Sequence, residues 1–280
     1  MLLALITLLS ALTAAGCCVL AEGFASLRFL WLLPLSFAGA FLVLLILVFG
    51  FLVLAILPLK KDGVYAHDSR FYRTLTNLYI DLIITLVGLR FETKGLEKRP
   101  KDGRFLLVSN HLHEIDPAIL MHFFPKSQLA FIAKQEVKDM PLVGKILPAI
   151  QGQFINREND REALRTIIKC IQLLKDDEVS VGVFPEGGIN ELRKFKHFRP
   201  GVFKIAQKAK VPIVVCTLRN THNVLGDLMK LKRSTVPVHV LEVIQPEWLE
   251  GKTTVEIADY VYGIMAADLG PENCYPEENT

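Results

Sequence analysis

The chain opens with two long stretches that carry no charged side chain. Residues 1–21 form one and residues 29–59 the other, so that Glu22 and Arg28 are the only charged residues in the first 59. A helix rises about 1.5 Å per residue and a bilayer core takes roughly 20 residues, so both stretches are long enough to enter or cross a membrane. The seven residues EGFASLR separate them. A link this short predicts a helical hairpin with both outer ends on one side. Lys60, Lys61, Arg70 and Arg73 follow the second run. Basic residues concentrate on the cytoplasmic side of a membrane, which places the rest of the chain there. Pro34 predicts a break near the start of the second run, so a hairpin dipping into one leaflet stands beside two full spans. No basic residue precedes the first run. That weighs against a signal peptide and against a lipoprotein site at Ala14-Ala15-Gly16-Cys17.

The rest of the chain has a different character. All but one of the 32 Lys and Arg and all but one of the 29 Asp and Glu lie beyond residue 59. The division is therefore a membrane hairpin at 1–59 and an ordinary domain at 60–280. A net charge of +3 gives no case for nucleic acid as a partner. The five cysteines (Cys17, Cys18, Cys170, Cys216 and Cys274) are scattered and form no CxxC pair. This argues for a reducing compartment and against a zinc or disulfide framework. Residues 74–91, TLTNLYIDLIITLVGLRF, predict a helix that packs on the domain and touches the membrane. From about residue 104 short apolar runs predict strands at 105–109, 129–133, 152–156, 179–184, 213–218 and 236–244. Leu164, Ile167, Ile168, Ile171 and Leu174 recur at helical spacing within 158–175. Residues 200–210 continue helically after Pro-Gly, and Thr253-x-x-Glu256 reads as a capping box that opens a helix over 254–268. Alternating strands and helices imply an α/β domain with a largely parallel sheet flanked by helices. The polar tail PENCYPEENT is expected to fray.

The densest cluster of reactive side chains is SNHLHEIDP, residues 109–117. Three readings compete there. His111 and His113 would point the same way on a strand, as metal ligands do, but no distal set of His or Cys ligands completes a site. A histidine near a strand end can instead act as a general base, with Asp116 turning back to hold one ring nitrogen. The third reading is a helix start, with Asp116 at the cap and Pro117 at the first position. The His-x4-Asp spacing occurs again at His222 and Asp227, in a stretch that reads as a surface loop. FPEGG, residues 184–188, ends an apolar run in a tight turn able to receive an anion or present a carboxylate to a substrate.

NHLHEID at 110–116, GQFINR at 152–157, FPEGG at 184–188 and VPIV at 211–214 follow one another in this order. The ordered set resembles the 1-acylglycerol-3-phosphate acyltransferase (PlsC) family of glycerolipid acyltransferases, over about residues 104–220, and the N-terminal hydrophobic pair resembles its bacterial members. The resemblance implies transfer of a fatty acyl chain from acyl-CoA or an acyl carrier protein to the sn-2 hydroxyl of 1-acylglycerol-3-phosphate, giving phosphatidic acid. It implies that His111 is the base and that Asp116 orients it. It further implies that Lys134 and Arg157 bind acceptor phosphate, that Glu186 and Gly187 shape the acceptor pocket, and that Pro212 lies toward the acyl donor. No metal, flavin or nucleotide cofactor is implied beyond the acyl carrier, which is a co-substrate. The bilayer and a lysophospholipid are the expected partners.

The sequence departs from the family pattern in two places. Gly188 and Ile189 stand where the third motif has Ser or Thr and then Arg, and Val215 replaces the second proline of the fourth. Arg193, Lys194 or Lys196 would have to reach the phosphate in place of an arginine at 189. The alternatives are an acyltransferase for a different lysophospholipid, a metal-dependent lipid or thioester hydrolase using His111, His113 and Asp116, and a non-catalytic membrane protein.

Overall fold

The computed structural model describes residues 1–21, 27–60 and 63–275. Most of the link between the apolar runs, Lys61 and the end of the polar tail fall outside them. In chain order the elements are α1 (Leu2–Leu20), α2 (Phe29–Ile56), α3 (Arg70–Val87), β1 (Arg90–Lys94), β2 (Leu106–Ser109), α4 (Asp116–Phe123), β3 (Ala130–Lys134), α5 (Val143–Ala149), β4 (Gln153–Ile155), α6 (Asp160–Lys175), β5 (Val181–Val183), α7 (Lys204–Ala209), β6 (Ile213–Leu218), α8 (Val224–Met229), β7 (Thr235–Ile244), α9 (Pro246–Leu249) and α10 (Thr254–Leu269).

Among the described residues seven strands form one sheet in the order β1-β7-β6-β2-β5-β3-β4. β4, β3, β5, β2 and β6 run parallel. β7 reverses against β6, and β1 runs alongside β7. The central strands are uninterrupted apolar runs because helices cover both faces. One face packs Leu106, Val108 and Val181 under α6, α7 and α10. The other packs Phe105, Leu107 and Val214 under α4, the end of α3 and the start of α8. The Thr253–Glu256 capping box forms as the sequence predicts.

Several boundaries differ from the sequence expectation. The helix expected at 74–91 stops at Val87, where Gly88 takes a left-handed conformation (φ 70°), and Arg90 begins an unpredicted edge strand. Ile168 of α6 is exposed rather than buried. Pro34 does not break α2, which runs straight through it. One lost hydrogen bond near a helix start is a small defect, and the remaining ladder holds. Residues 271–275 do not fray, since Phe195 N donates to Asn273 O at 2.8 Å and Tyr275 N to Phe195 O at 2.6 Å.

α1 and α2 pack as a hairpin whose contact stripe includes Ser10, Ala14 and Cys18, small enough for the backbones to approach closely. Most other apolar side chains on both helices are exposed. The hairpin is moored to α3. Tyr72 Oη donates to Ala55 O at 3.1 Å and Tyr79 Oη donates to Val48 O, so α2 runs antiparallel to α3 in a matched register. At that register the end of α3 lies opposite about residue 40, and Phe29–Gly39 overrun it by about 16 Å.

The direction of the overrun matters. Arg90 N donates to Ser234 O at 2.9 Å, and β7 starts beside the end of β6, with Leu218 opposite Val238. The end of α3 therefore lies at the edge where the parallel strands terminate. The apolar hairpin projects past that carboxyl edge.

Candidate active site

The parallel strands deliver the candidate residues to one place. β2 ends at Ser109, and the buried Asn110 ties that end to β6. Its Nδ2 donates to Leu218 O at 2.8 Å and its Oδ1 accepts from Leu218 N at 2.8 Å. This clamp fixes the backbone immediately before His111.

His111 Nδ1 lies 2.9 Å from Asp116 Oδ2. The same oxygen accepts from Leu112 N at 2.7 Å and His113 N at 2.8 Å. Asp116 is fully buried, and its Oδ1 has no hydrogen-bond partner among the described residues. Asp116 is the first residue of α4 but does not cap it, because its carboxylate turns back over the loop. The imidazole of His111 stacks on Phe184 with ring centroids 4.1 Å apart, and Phe184 stacks on Phe131 at 5.4 Å. Asp116 and the aromatic stack hold the ring from two sides. Nε2 then remains the nitrogen with no hydrogen-bond partner among the described residues, on a side chain that is 18% exposed. A histidine with one nitrogen held by a buried carboxylate and the other open is arranged to accept a proton.

Glu186 does not present its carboxylate to a substrate. It is 2% exposed, and its oxygens accept from His111 N at 2.7 Å and Lys196 N at 3.2 Å. Burial pushes the carboxyl up to about 8 against the opposing pull of those donors. Glu186 thus positions the backbone of His111. Gly187 (φ 78°) and Gly188 (φ 141°) make the turn that follows. Arg157 Nη1 donates to Gly187 O. A Cβ on Gly187 would lie 2.8 Å from Arg199 Nε. Arg157, Arg199 and Lys204 border a cavity of about 410 Å³ whose other walls include Ile132, Ile155 and Val202. Burial, and then the charge of Arg199, lowers the pKa of Arg157. Two guanidinium groups beside a glycine turn, opening on a partly apolar cavity, suit an anionic group attached to an apolar chain.

The remaining sequence candidates fall out unevenly. Arg193 Nη1 donates to Leu112 O at 2.6 Å, so it braces the His111 loop. Lys134 stands exposed at the carboxyl end of β3, on the same edge. Pro212 does not join the group. Its carbonyl accepts from Leu106 N at 3.0 Å, at the beginning of β2 and β6, a strand length of about 20 Å from His111. His113 is a loop residue whose Nδ1 accepts from Ile115 N at 3.3 Å. The second His-x4-Asp pair is helical rather than a loop: Asp227 accepts from Ser234 Oγ at 2.8 Å. His222 feels Arg193, Asp116 and His113, and burial, followed by the charge of Arg193, lowers its pKa. Among the described residues no three His, Cys, Asp or Glu side chains converge as a metal cage. Asn110 and Arg199 were not singled out from sequence. Arg199 lies eleven residues past the FPEGG turn, where only its arrival at Gly187 in three dimensions marks it.

The Acyltransferase family model matches residues 90–219. A protein of Mycoplasma pneumoniae named "Probable 1-acyl-sn-glycerol-3-phosphate acyltransferase" is 30% identical over 219 residues, covering 75% of this chain and 78% of that one. The 1-acyl-sn-glycerol-3-phosphate acyltransferase of Borreliella burgdorferi is 30% identical over 144 residues, and the match covers 51% of this chain and 57% of the relative. The crystal structure of the 1-acyl-sn-glycerophosphate acyltransferase PlsC from Thermotoga maritima superimposes with a TM-score of 0.62 at 21% identity, over 85% of this chain and 95% of that one.

Proposed function

Because the chain belongs to the 1-acyl-sn-glycerol-3-phosphate acyltransferase family, we propose that it moves a fatty acyl group from a thioester carrier to the free sn-2 hydroxyl of 1-acylglycerol-3-phosphate. His111 Nε2 takes the proton as the hydroxyl oxygen attacks the thioester carbonyl. The buried Asp116 carboxylate stabilises the imidazolium that results. The tetrahedral adduct collapses to the ester, and the departing thiolate of CoA or of an acyl carrier protein recovers the proton from His111. No acyl-enzyme and no metal enters this sequence. The observation that carries the reading is the buried Asp116 on His111 Nδ1 with Nε2 open.

Arg157 and Arg199 receive the acceptor phosphate at the Gly187 turn, and Lys134 adds charge along the same edge. The acceptor and the product are both bilayer lipids, which gives the hairpin its purpose. The exposed apolar surface of α1 and α2 supports membrane association. The free overhang of about 16 Å is half of a roughly 30 Å hydrocarbon core, which favours a dip into one leaflet with the domain on the cytoplasmic side.

The test is a transfer assay on the full chain in detergent, with labelled acyl-CoA or acyl carrier protein and a panel of lysolipids, with and without chelator. Chelator-resistant transfer to lysophosphatidic acid, reduced about 10²–10⁴-fold in His111→Ala, is the expected result. Hydrolysis that stops on chelation would replace this reading with a metal-dependent one. Transfer confined to another lysolipid would keep the chemistry and move the acceptor.

A further inference from the structure

We infer that the segment from α8 to β7 is a second bilayer contact, which seats the carboxyl edge of the sheet on an anionic lipid surface. The segment joins β6 to β7 and reads NVLGDLMKLKRST, residues 223–235. It is anchored from beneath by Val224, 1% exposed, and by the Ser234–Asp227 hydrogen bond at 2.8 Å. Its outer surface is apolar out of proportion to its length. Leu225 is 55% exposed, Met229 87% and Leu231 94%. Lys230, Lys232 and Arg233 interleave with them and are also exposed. Large apolar side chains more than half out in water beside three cations are the pattern of a surface built for the headgroup boundary of an anionic bilayer.

The position of the segment selects that partner over a protein. α8 packs on the same sheet face as the end of α3. It lies at the same carboxyl edge past which Phe29–Gly39 overrun α3. A hairpin inserted in a bilayer would bring that edge down onto the membrane, with Met229 and Leu231 meeting it. His222, one turn earlier, is close enough to feel Asp116 and Arg193. The surface therefore borders the candidate active site, where a lipid must leave the membrane to react. This inference concerns orientation and does not depend on the acyl-transfer chemistry.

The test uses the full chain in vesicles of mixed phosphatidylcholine and phosphatidylglycerol whose acyl chains carry bromine, a fluorescence quencher. Trp31→Phe and Trp248→Phe clear the background. One protein then carries Met229→Trp and another Glu250→Trp, a control at the opposite edge. Tryptophan at 229 is expected to shift to the blue and to be quenched, and tryptophan at 250 to remain unquenched. Equal quenching at the two positions, or none at 229 with the hairpin inserted, would overturn the proposal. A second variant reverses the charge at Lys230, Lys232 and Arg233 to Glu. Each basic side chain near an anionic surface is worth roughly fivefold in partitioning. The ratio of transfer on these vesicles to transfer in neutral micelles should therefore fall at least about tenfold at low salt, and recover in neutral vesicles. An unchanged ratio would sink the idea. Quenching at 229 in a protein that transfers to no lysolipid would leave this surface assigned and overturn the proposed function alone.

Discussion

Asp116→Asn separates the charge of the dyad from its shape. The asparagine oxygen can take the place of Asp116 Oδ2 and still accept from Leu112 N and His113 N, which now approach at 2.7 and 2.8 Å. The amide nitrogen then falls where Oδ1 lies, a position without a partner among the described residues. A buried unsatisfied amide costs about 1–3 kcal/mol of stability. Catalysis should suffer separately. Only the bond to His111, 2.9 Å long, strengthens as the ring becomes cationic. The amide oxygen keeps that bond without its charge. A hydrogen bond to a charged group contributes about 1.5–3 kcal/mol against about 0.5–1.5 kcal/mol for a neutral one. The difference of about 1–1.5 kcal/mol predicts a fall in kcat of roughly 5–13-fold with little change in KM for the acceptor. The assay is initial-rate transfer of a labelled acyl group at saturating acceptor, alongside a thermal melt of the same preparation. His111→Ala and the double variant complete a cycle, in which the double variant should be no slower than His111→Ala alone, because the two side chains act as one unit. Activity within about threefold of wild type, or a double variant with additive losses, would refute the assignment of Asp116 as the partner of the base.

Other perturbations probe the surrounding shell. Burial holds the Glu186 carboxyl up to about 8, above its unfolded value near 4.3, so its protonated form favours the fold at low pH. That contribution is complete below about pH 4.3 and is lost at about 1.4 kcal/mol per unit as pH rises toward 8. Glu186→Gln should accordingly flatten the melting temperature across that window relative to wild type, and parallel profiles would contradict the burial argument. Gly187→Ala places a methyl 2.8 Å from Arg199 Nε on a backbone with φ 78°, and should cost about 1–3 kcal/mol of stability together with a higher KM for the acceptor. Arg199→Ala should raise the acceptor KM about 10–100-fold with kcat nearly intact, and Arg199→Lys should restore little of it, since lysine lacks the bidentate fork. A kcat effect without a KM effect would place Arg199 away from the phosphate.

The parts of the fold legible in the sequence are those written in local pattern. The uncharged runs announce α1 and α2. The strands beneath both helical layers read as continuous apolar segments, and Thr253 with Glu256 announces α10. β1 was not legible, because RFETK has no apolar run and is largely exposed. Its strand character comes from pairing with β7, some 145 residues away. Pro34 was misleading for the opposite reason, since a local breaker was outweighed by the helix around it. The antiparallel turn of β7 carries no local signal either, since period-two alternation leaves strand direction unspecified.

The site was legible in its chemistry and less so in its division of labour. His111 and Asp116 stood close in sequence, and the tight turn between them brings them into contact. The FPEGG turn reads in sequence as able to receive an anion or to present a carboxylate, and the structure turns Glu186, 2% exposed, onto the backbone N–H groups of His111 and Lys196. The missing arginine at 189 is answered in the same way. Arg157 reaches the turn through the Gly187 carbonyl, and Arg199 crosses the space that a Gly187 side chain would occupy. The turn is thus approached by two guanidinium groups from outside its own motif, Arg157 and Arg199. An apolar residue at 189 is therefore compatible with a phosphate-bearing acceptor. The phosphate role proposed for Arg157 and Arg199 does not require a cation at 189.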